Sequence, residues 1–238
     1  MHDFAEIWSY LARGPLLWLT ATLAAYLIGE AAFRASGRKP WVNPVLVSVT
    51  LISTLLWASG TPYPVYFEGA QFVHFMLGPA TVLLAVPLTD NMAKIRTTFL
   101  PLAAALVVGS LTAMVSALII ARAFGVSGQT LISIAPKSAT APVAIGIAER
   151  IGGSPTLSAA LVLMTGIFGA IAVTPLMNAL GVRDWRARGF AVGVAAHGVG
   201  TARAFQVNET AGAFAGIGMG LNALLTAVIA PFVVRLFL

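Results

Sequence analysis

No cysteine occurs in this chain of 238 residues, which excludes disulfides and thiolate metal sites and says nothing about compartment. Charge is almost as scarce. Charged residues make up 9% of the chain, against roughly 25% in a typical soluble domain, and only 8 of them are acids. Glu30, Asp90, Glu149 and Glu209 all fall at the ends of apolar stretches. A cation carrier needs a carboxylate at membrane depth, and none is evident. No hydrolase motif and no metal-ligand cluster can be read. Ser138 beside Lys137 does not make a nucleophilic pair, because adjacent side chains diverge on a regular backbone. The chain is therefore not expected to be an enzyme, and no cofactor or metal is implied.

What is present is apolar: 58% of residues are hydrophobic. The runs 15–33, 43–60, 70–90, 97–122, 129–150, 156–180, 189–206 and 212–237 are each about 17 to 25 residues, enough to cross a hydrocarbon core of about 30 Å as a helix. Little remains for a soluble domain. The expected fold is an all-α integral membrane protein with one transmembrane domain over 1–238. The first run has acids ahead of it and no evident cleavage site, so it reads as a retained helix. Trp8, Trp18, Trp41, Trp57, Tyr63, Tyr66 and Trp185 crowd the ends of the runs as an interfacial belt.

The formal charge of +6 does not point to nucleic acid, because most Arg and Lys stand in short loops, as the positive-inside rule places them. Gly78-x-x-Thr81 and Gly198-x-x-Thr201 recur, and so do the segments after them, 108–113 and 218–223. Two matches in the same order suggest repeats over 1–124 and 125–238. The loop charges run positive, negative, positive in the first half and neutral, positive, negative in the second. The halves are then inverted, with the N-terminus outside and the C-terminus cytoplasmic. Parity requires one element not to cross. Its best candidate is 129–150, where Pro136 and Pro142 flank Lys137 and a broken backbone could turn back as a re-entrant hairpin. The alternative is a kinked helix that crosses, with a local failure of the charge rule.

Inverted repeats with broken helices bring half-helix N-termini together near the midplane, where free N–H groups attract anions. The expected breaks are Gly78-Pro79 and Gly198-Val199-Gly200, with Thr81 and Thr201 just beyond them. Glycine also serves close helix packing, and threonine can bond back to its own helix. Lys137 and Arg203, two cations without a nearby acid in sequence, favour a small anion; Arg203 could instead snorkel to an interface. The expected site comprises Lys137, Ser138, Thr140, Gly78, Pro79, Thr81, Gly198, Gly200, Thr201 and Arg203, converging on one cavity. His197 is the candidate proton-coupling group. His74 reads as a packing residue. Of Asn178, Asn208 and Asn222, the last is expected to bond between helices.

The segments Leu77-Gly78-Pro79-Ala80-Thr81, Pro136–Ala144, Arg186-Ala187-Arg188-Gly189 and His197–Ala204 together resemble the LrgB/CidB family, in order and over nearly the whole chain. Ala139 and Val199 depart from the family's usual residues without changing charge. Members are bacterial inner-membrane proteins described as antiholin-like regulators of murein hydrolase export and autolysis. A plant relative is the plastid glycolate/glycerate translocator, and bacterial relatives have been linked to pyruvate. The resemblance implies a secondary carrier of small monocarboxylates working by alternating access, distantly akin to bile-acid and cation/proton antiporter-type carriers. It also implies a small LrgA/CidA-type membrane partner, and a homodimer is expected. Its alternative is a holin-like or antiholin-like protein acting through envelope permeability.

Overall fold

The computed structural model describes the backbone of residues 14–39, 41–83, 89 and 96–238, and the side chains of all of these except 74, 77, 78 and 80–83. Nine main helices lie among the described residues, and no strand does. We label them α1 (Pro15–Ala35), α2 (Pro44–Ser59), α3 (Tyr63–Leu83), α4 (Phe99–Ala123), α5 (Gly128–Ile134), α6 (Ala141–Ile151), α7 (Pro155–Ala179), α8 (Trp185–Val207) and α9 (Glu209–Arg235). Of these α1, α4, α7 and α9 are long and apolar enough to cross a membrane, and α2 is a shorter apolar helix. The chain is an all-α, multi-pass membrane protein. Proline opens α1, α2, α6 and α7, where its missing N–H costs nothing. Asn43, Ser154, Asp184 and Asn208 cap α2, α7, α8 and α9 with side-chain oxygens.

Two compact units divide the chain, one within residues 1–81 and the other within 82–238. This division concerns packing; the sequence repeats expected at 1–124 and 125–238 are a separate matter. In the first unit, Gly29 lets α1 pass close to the carbonyl of Pro44 at the start of α2. Trp18 is fully buried with Tyr66 edge-on to it, ring centres 5.8 Å apart. The break expected at Gly78-Pro79 is absent: α3 stays helical through both residues to Leu83. Pro79 has no N–H for the carbonyl of Phe75, one bond among those of a long helix, which a membrane helix tolerates.

The second unit is built on three long helices and two chain reversals. The first reversal lies between α5 and α6. The Ser154 N–H donates to Ser133 Oγ at 2.7 Å, and the Ser158 hydroxyl donates to Ser133 O at 2.9 Å. Had α6 continued in the direction of α5, its 11 residues would carry Ser154 about 16 Å or more past the turn. The chain doubles back instead.

The second reversal lies inside α8, which the sequence reading took as a crossing element over 189–206. Ala196 (φ −127°, ψ 17°) and His197 (φ 40°, ψ −136°) leave helical geometry, and the halves on either side fold together. Trp185 and Val207 line the same small cavity, although a straight helix would part them by about 33 Å. A Cβ on Gly200 would come within 2.9 Å of Val192 Cγ2, eight residues back. Both halves pack on α9. A Cβ on Gly189 or Gly193 would run into the carbonyl of Ala211 or Ala215, so the first half runs parallel to α9. Gly198 abuts Met219 and Gly212 abuts Phe205, so the second half runs antiparallel to it. The stretch 189–206 therefore does not cross.

Side contacts fix the ends of this unit. Thr98, at the start of α4, lines one cavity with Asp184 and Arg186, at the start of α8. At the other end Arg122 Nη1 donates to the carbonyl of Phe237 at 2.8 Å, joining the C-terminal ends of α4 and α9. The α8 hairpin enters from the arginine-bearing end and the α5–α6 hairpin from the opposite one.

Candidate functional site

Each hairpin has its tip where the helical hydrogen-bond ladder is interrupted. The first tip is a run of tight turns, with Ala135 N–H donating to Ile132 O, Lys137 N–H to Ile134 O and Ala139 N–H to Pro136 O at 2.9–3.2 Å. Pro136 cannot donate, and Pro142 fits only the opening turn of α6, so regular helix cannot bridge 135–140. The second tip is Ala196-His197. A positive φ at a non-glycine is uncommon and held only by its surroundings. Here the surroundings are plain. The His197 ring lies 2.8 Å from the carbonyl of Val162 on α7. A carbonyl only accepts, so Nε2 carries the proton. Gly166 on the same helix leaves room for the ring, since a Cβ there would fall 2.6 Å from its Cε1. Gly169 likewise leaves room for Ala196.

Asn222, near the middle of α9 and 1% exposed, joins the two tips. Its amide Nδ2 donates to Ser138 O at 3.0 Å and to Val194 O at 3.1 Å. The first carbonyl belongs to the turn and the second to the last helical turn before the other break, where helical partners run out. The amide oxygen of Asn222 has no partner, nor has the hydroxyl of Thr140, 7% exposed at the head of α6. Buried polar atoms are rarely left so. Lys137 is half-buried, with Nζ 3.3 Å from Ser138 Oγ and within electrostatic reach of His197. Neither ion pair seen among the described residues, Arg34–Glu30 or Arg186–Asp184, involves it.

Asn222 thus ties the turn that carries Lys137, Ser138 and Thr140 to the last helical turn before the break at Ala196-His197. Thr201 is buried, and its hydroxyl donates to His197 O at 2.8 Å within its own helix. Gly198 and Gly200 serve packing against Met219 and against Val192 and Ala196. Arg203 stands apart. It lies six residues beyond the tip, about 9 Å along the helix, and lines a different cavity with Trp185, Arg188 and Met177. The surroundings of Gly78 and the side chain of Thr81 lie outside what is described, and Pro79 belongs to the first unit. Lys137 does not line the cavity that Arg203 lines. Asn222 bonds between helices as expected, and the signal for it was a single amide in the middle of an apolar 27-residue helix. The residues that sequence reasoning missed are Val162 and Gly166, the seat of the histidine.

At the arginine-bearing end, Asp184 both caps α8 and pairs with Arg186 at 2.7 Å. Hydrogen bonds from the Arg186 side chain hold its carboxyl down to about 2. Arg188 lies over the Trp185 ring at 5.0 Å and donates to Val182 O and Asn178 Oδ1.

The family model for LrgB-like proteins matches residues 22–236. The chain belongs to the LrgB-like family. Among the relatives of this LrgB-like chain, the "Uncharacterized protein YxaC" of Bacillus subtilis is 35% identical over 222 residues, 93% of this chain and 96% of the relative. The "Holin-like protein CidB" of Staphylococcus epidermidis is 29% identical over 222 residues, with the same coverage of both chains. The protein of that name from Staphylococcus aureus is also 29% identical over 222 residues. No solved structure matches the LrgB-like chain.

Proposed function

We propose that this protein acts on the permeability of a bacterial cytoplasmic membrane, the role that the holin-like name of its CidB relatives carries. Membership of the family along nearly the whole chain is the observation behind this reading. In it the protein assembles with a small LrgA/CidA-type membrane protein and modulates murein hydrolase export and autolysis. Exposed apolar side chains on α4 and α9, such as Val108, Leu224 and Val228, would face lipid or that partner.

A second reading is favoured by a specific observation. A leak needs no ordered interior, whereas here one asparagine holds a carbonyl from each of two helix breaks, one of which carries Lys137 and the unpartnered hydroxyl of Thr140. That construction suits a homodimeric secondary carrier of small monocarboxylates such as glycolate, glycerate or pyruvate. Lys137 neutralises the carboxylate, Thr140, Ser138 and backbone amides bond it, and His197 exchanges a proton. In this reading α4 with the first hairpin and α7 with the second are an inverted pair.

Proteoliposomes separate the two readings. Release of an enclosed dye that is indifferent to Lys137→Gln supports the holin-like reading. Uptake of labelled glycolate, glycerate or pyruvate that saturates, is competed by one carboxylate and is lost in a well-inserted Lys137→Gln variant supports the carrier. Neither leak nor uptake, with or without the small partner, ends both.

A further inference from the structure

Two cavities of the second unit end on the two hairpin tips from opposite sides. One, of about 440 Å³, runs between α4 and the first half of α8. Thr98, Asp184 and Arg186 stand at its mouth, and Gly109, Val194 and Ala195 at its floor. The other, of about 230 Å³, runs between α6 and α9, with Arg150 at its mouth and Pro142 and Val143 at its floor. Each follows a half-helix for eight or nine residues, about 12–14 Å. At about 30 Å³ per water, the larger has room for about fifteen waters or a small organic anion. Asn222 lies between the floors, bonded to the carbonyl of Val194, which lines one, and to that of Ser138, four residues before Pro142 of the other.

We propose that these cavities are two half-channels through which a small organic anion reaches the hairpin tips from either end of the unit, with Asn222 and its two carbonyls as the barrier between them. The inference rests on the carrier reading and supplies its path. Charge favours an anion. Arg150 stands at the smaller mouth, Lys137 adjoins Ser138, whose carbonyl Asn222 holds, and at the larger mouth Arg186 and Asp184 pair and cancel. The unpartnered Thr140 hydroxyl and Asn222 amide oxygen mark polar ground between two largely apolar walls. The path is lined by small residues, Ala187, Ala191 and Ala195 on α8 and Ala105 and Gly109 on α4, which leave it open.

The absence of cysteine makes the test direct. Single cysteines at Ala105 and Ala195 report on the larger path, and at Gly146 and Ala227 on the smaller; a Cβ at Gly146 meets nothing within 4 Å. Leu224→Cys, on the exposed face of α9, is the lipid-facing control. In vesicles of known orientation, a membrane-impermeant anionic thiol reagent should modify the first pair only from the Arg186 end and the second only from the Arg150 end. Both pairs should react about tenfold or more faster than the control. Modification from the wrong end, or no faster than at Leu224→Cys for both members of a pair, overturns the proposal and leaves the cavities to lipid. Uptake is measured in the same vesicles. Sided labelling without saturable uptake removes the carrier reading and keeps the paths; uptake without sided labelling removes the paths and keeps the carrier.

Discussion

Replacing Asn222 with alanine removes a side chain that holds both hairpin tips. Two buried carbonyls, Ser138 O and Val194 O, then lose their donors. Interhelical hydrogen bonds in membrane proteins average about 0.6 kcal/mol and reach about 1.7. Two of them sum to about 1–3 kcal/mol. The lost side chain also leaves a small cavity, which adds to the cost, while its own unpartnered oxygen no longer has to be buried, which offsets part of it. The net loss should stay near 1–3 kcal/mol. For a chain of this size each kcal/mol lowers the melting temperature by about 2–4 °C, so Asn222→Ala should melt about 3–10 °C below the parent in detergent. Asn222→Asp should be worse, because an oxygen then faces both carbonyls where the NH₂ stood. Leu224→Ala, on the exposed face of the same helix, should stay within about 0.5 kcal/mol. Hydrogen exchange gives the localisation: amides of 135–140 and 197–199 should lose protection before those of α4 or α7. An Asn222→Ala protein that melts with the parent and keeps both tips protected would refute the role given to this residue.

Glycines supply a paired prediction. Gly193→Ala drives a methyl into the carbonyl of Ala215 and should cost about 2–3 kcal/mol, whereas Gly146→Ala meets open space in a helix and should gain about 0.5–1 kcal/mol, both read as melting shifts. His197 gives an ordering. His197→Ala and His197→Gly both lose the bond to Val162 O, but only glycine relaxes the φ of 40°, so the glycine variant should melt above the alanine variant by the equivalent of about 1 kcal/mol. Equal melting of the two would mean that the tip is not strained.

The broken segment around Lys137 was legible because two prolines announce it locally and the loop charges demanded a turn somewhere. The break in α8 was read two residues late and without its consequence. Gly198 and Gly200 drew attention, yet the backbone turns at Ala196 and His197, where no residue type favours a positive φ. What allows that turn is the gap left by Gly166 and Gly169 on α7, about thirty residues earlier, and no local pattern joins the two. Hydropathy could not help. The run 189–206 is long enough to cross, and a helix that folds on itself buries as much apolar surface as one that spans. Arg203 was drawn into the site for the same reason. On a crossing helix it would sit just beyond the midplane; on a returning one it heads back toward Arg188 and Trp185.

A second reversal also changes what loop charge can mean. With one non-crossing element, parity places Glu209 opposite the arginines of 183–188 and returns the C-terminus to their side. With two, Asn208 and Glu209 lie at the arginine-bearing end, and α9 carries the chain to the end where Arg122 meets Phe237. Among the described residues of the second unit the ends then hold Arg96, Arg183, Arg186, Arg188 and Arg203 against Arg122, Arg150 and Arg235, five to three. Such a margin is small beside the bias that usually orients a membrane protein. In a unit made of hairpins that return to the side they came from, charge at a hairpin base records where the chain entered and not how often it has crossed. The opposed directions of the two hairpins rest instead on contacts: Ser133 with Ser154, Trp185 with Val207, and Asn222 with both tips.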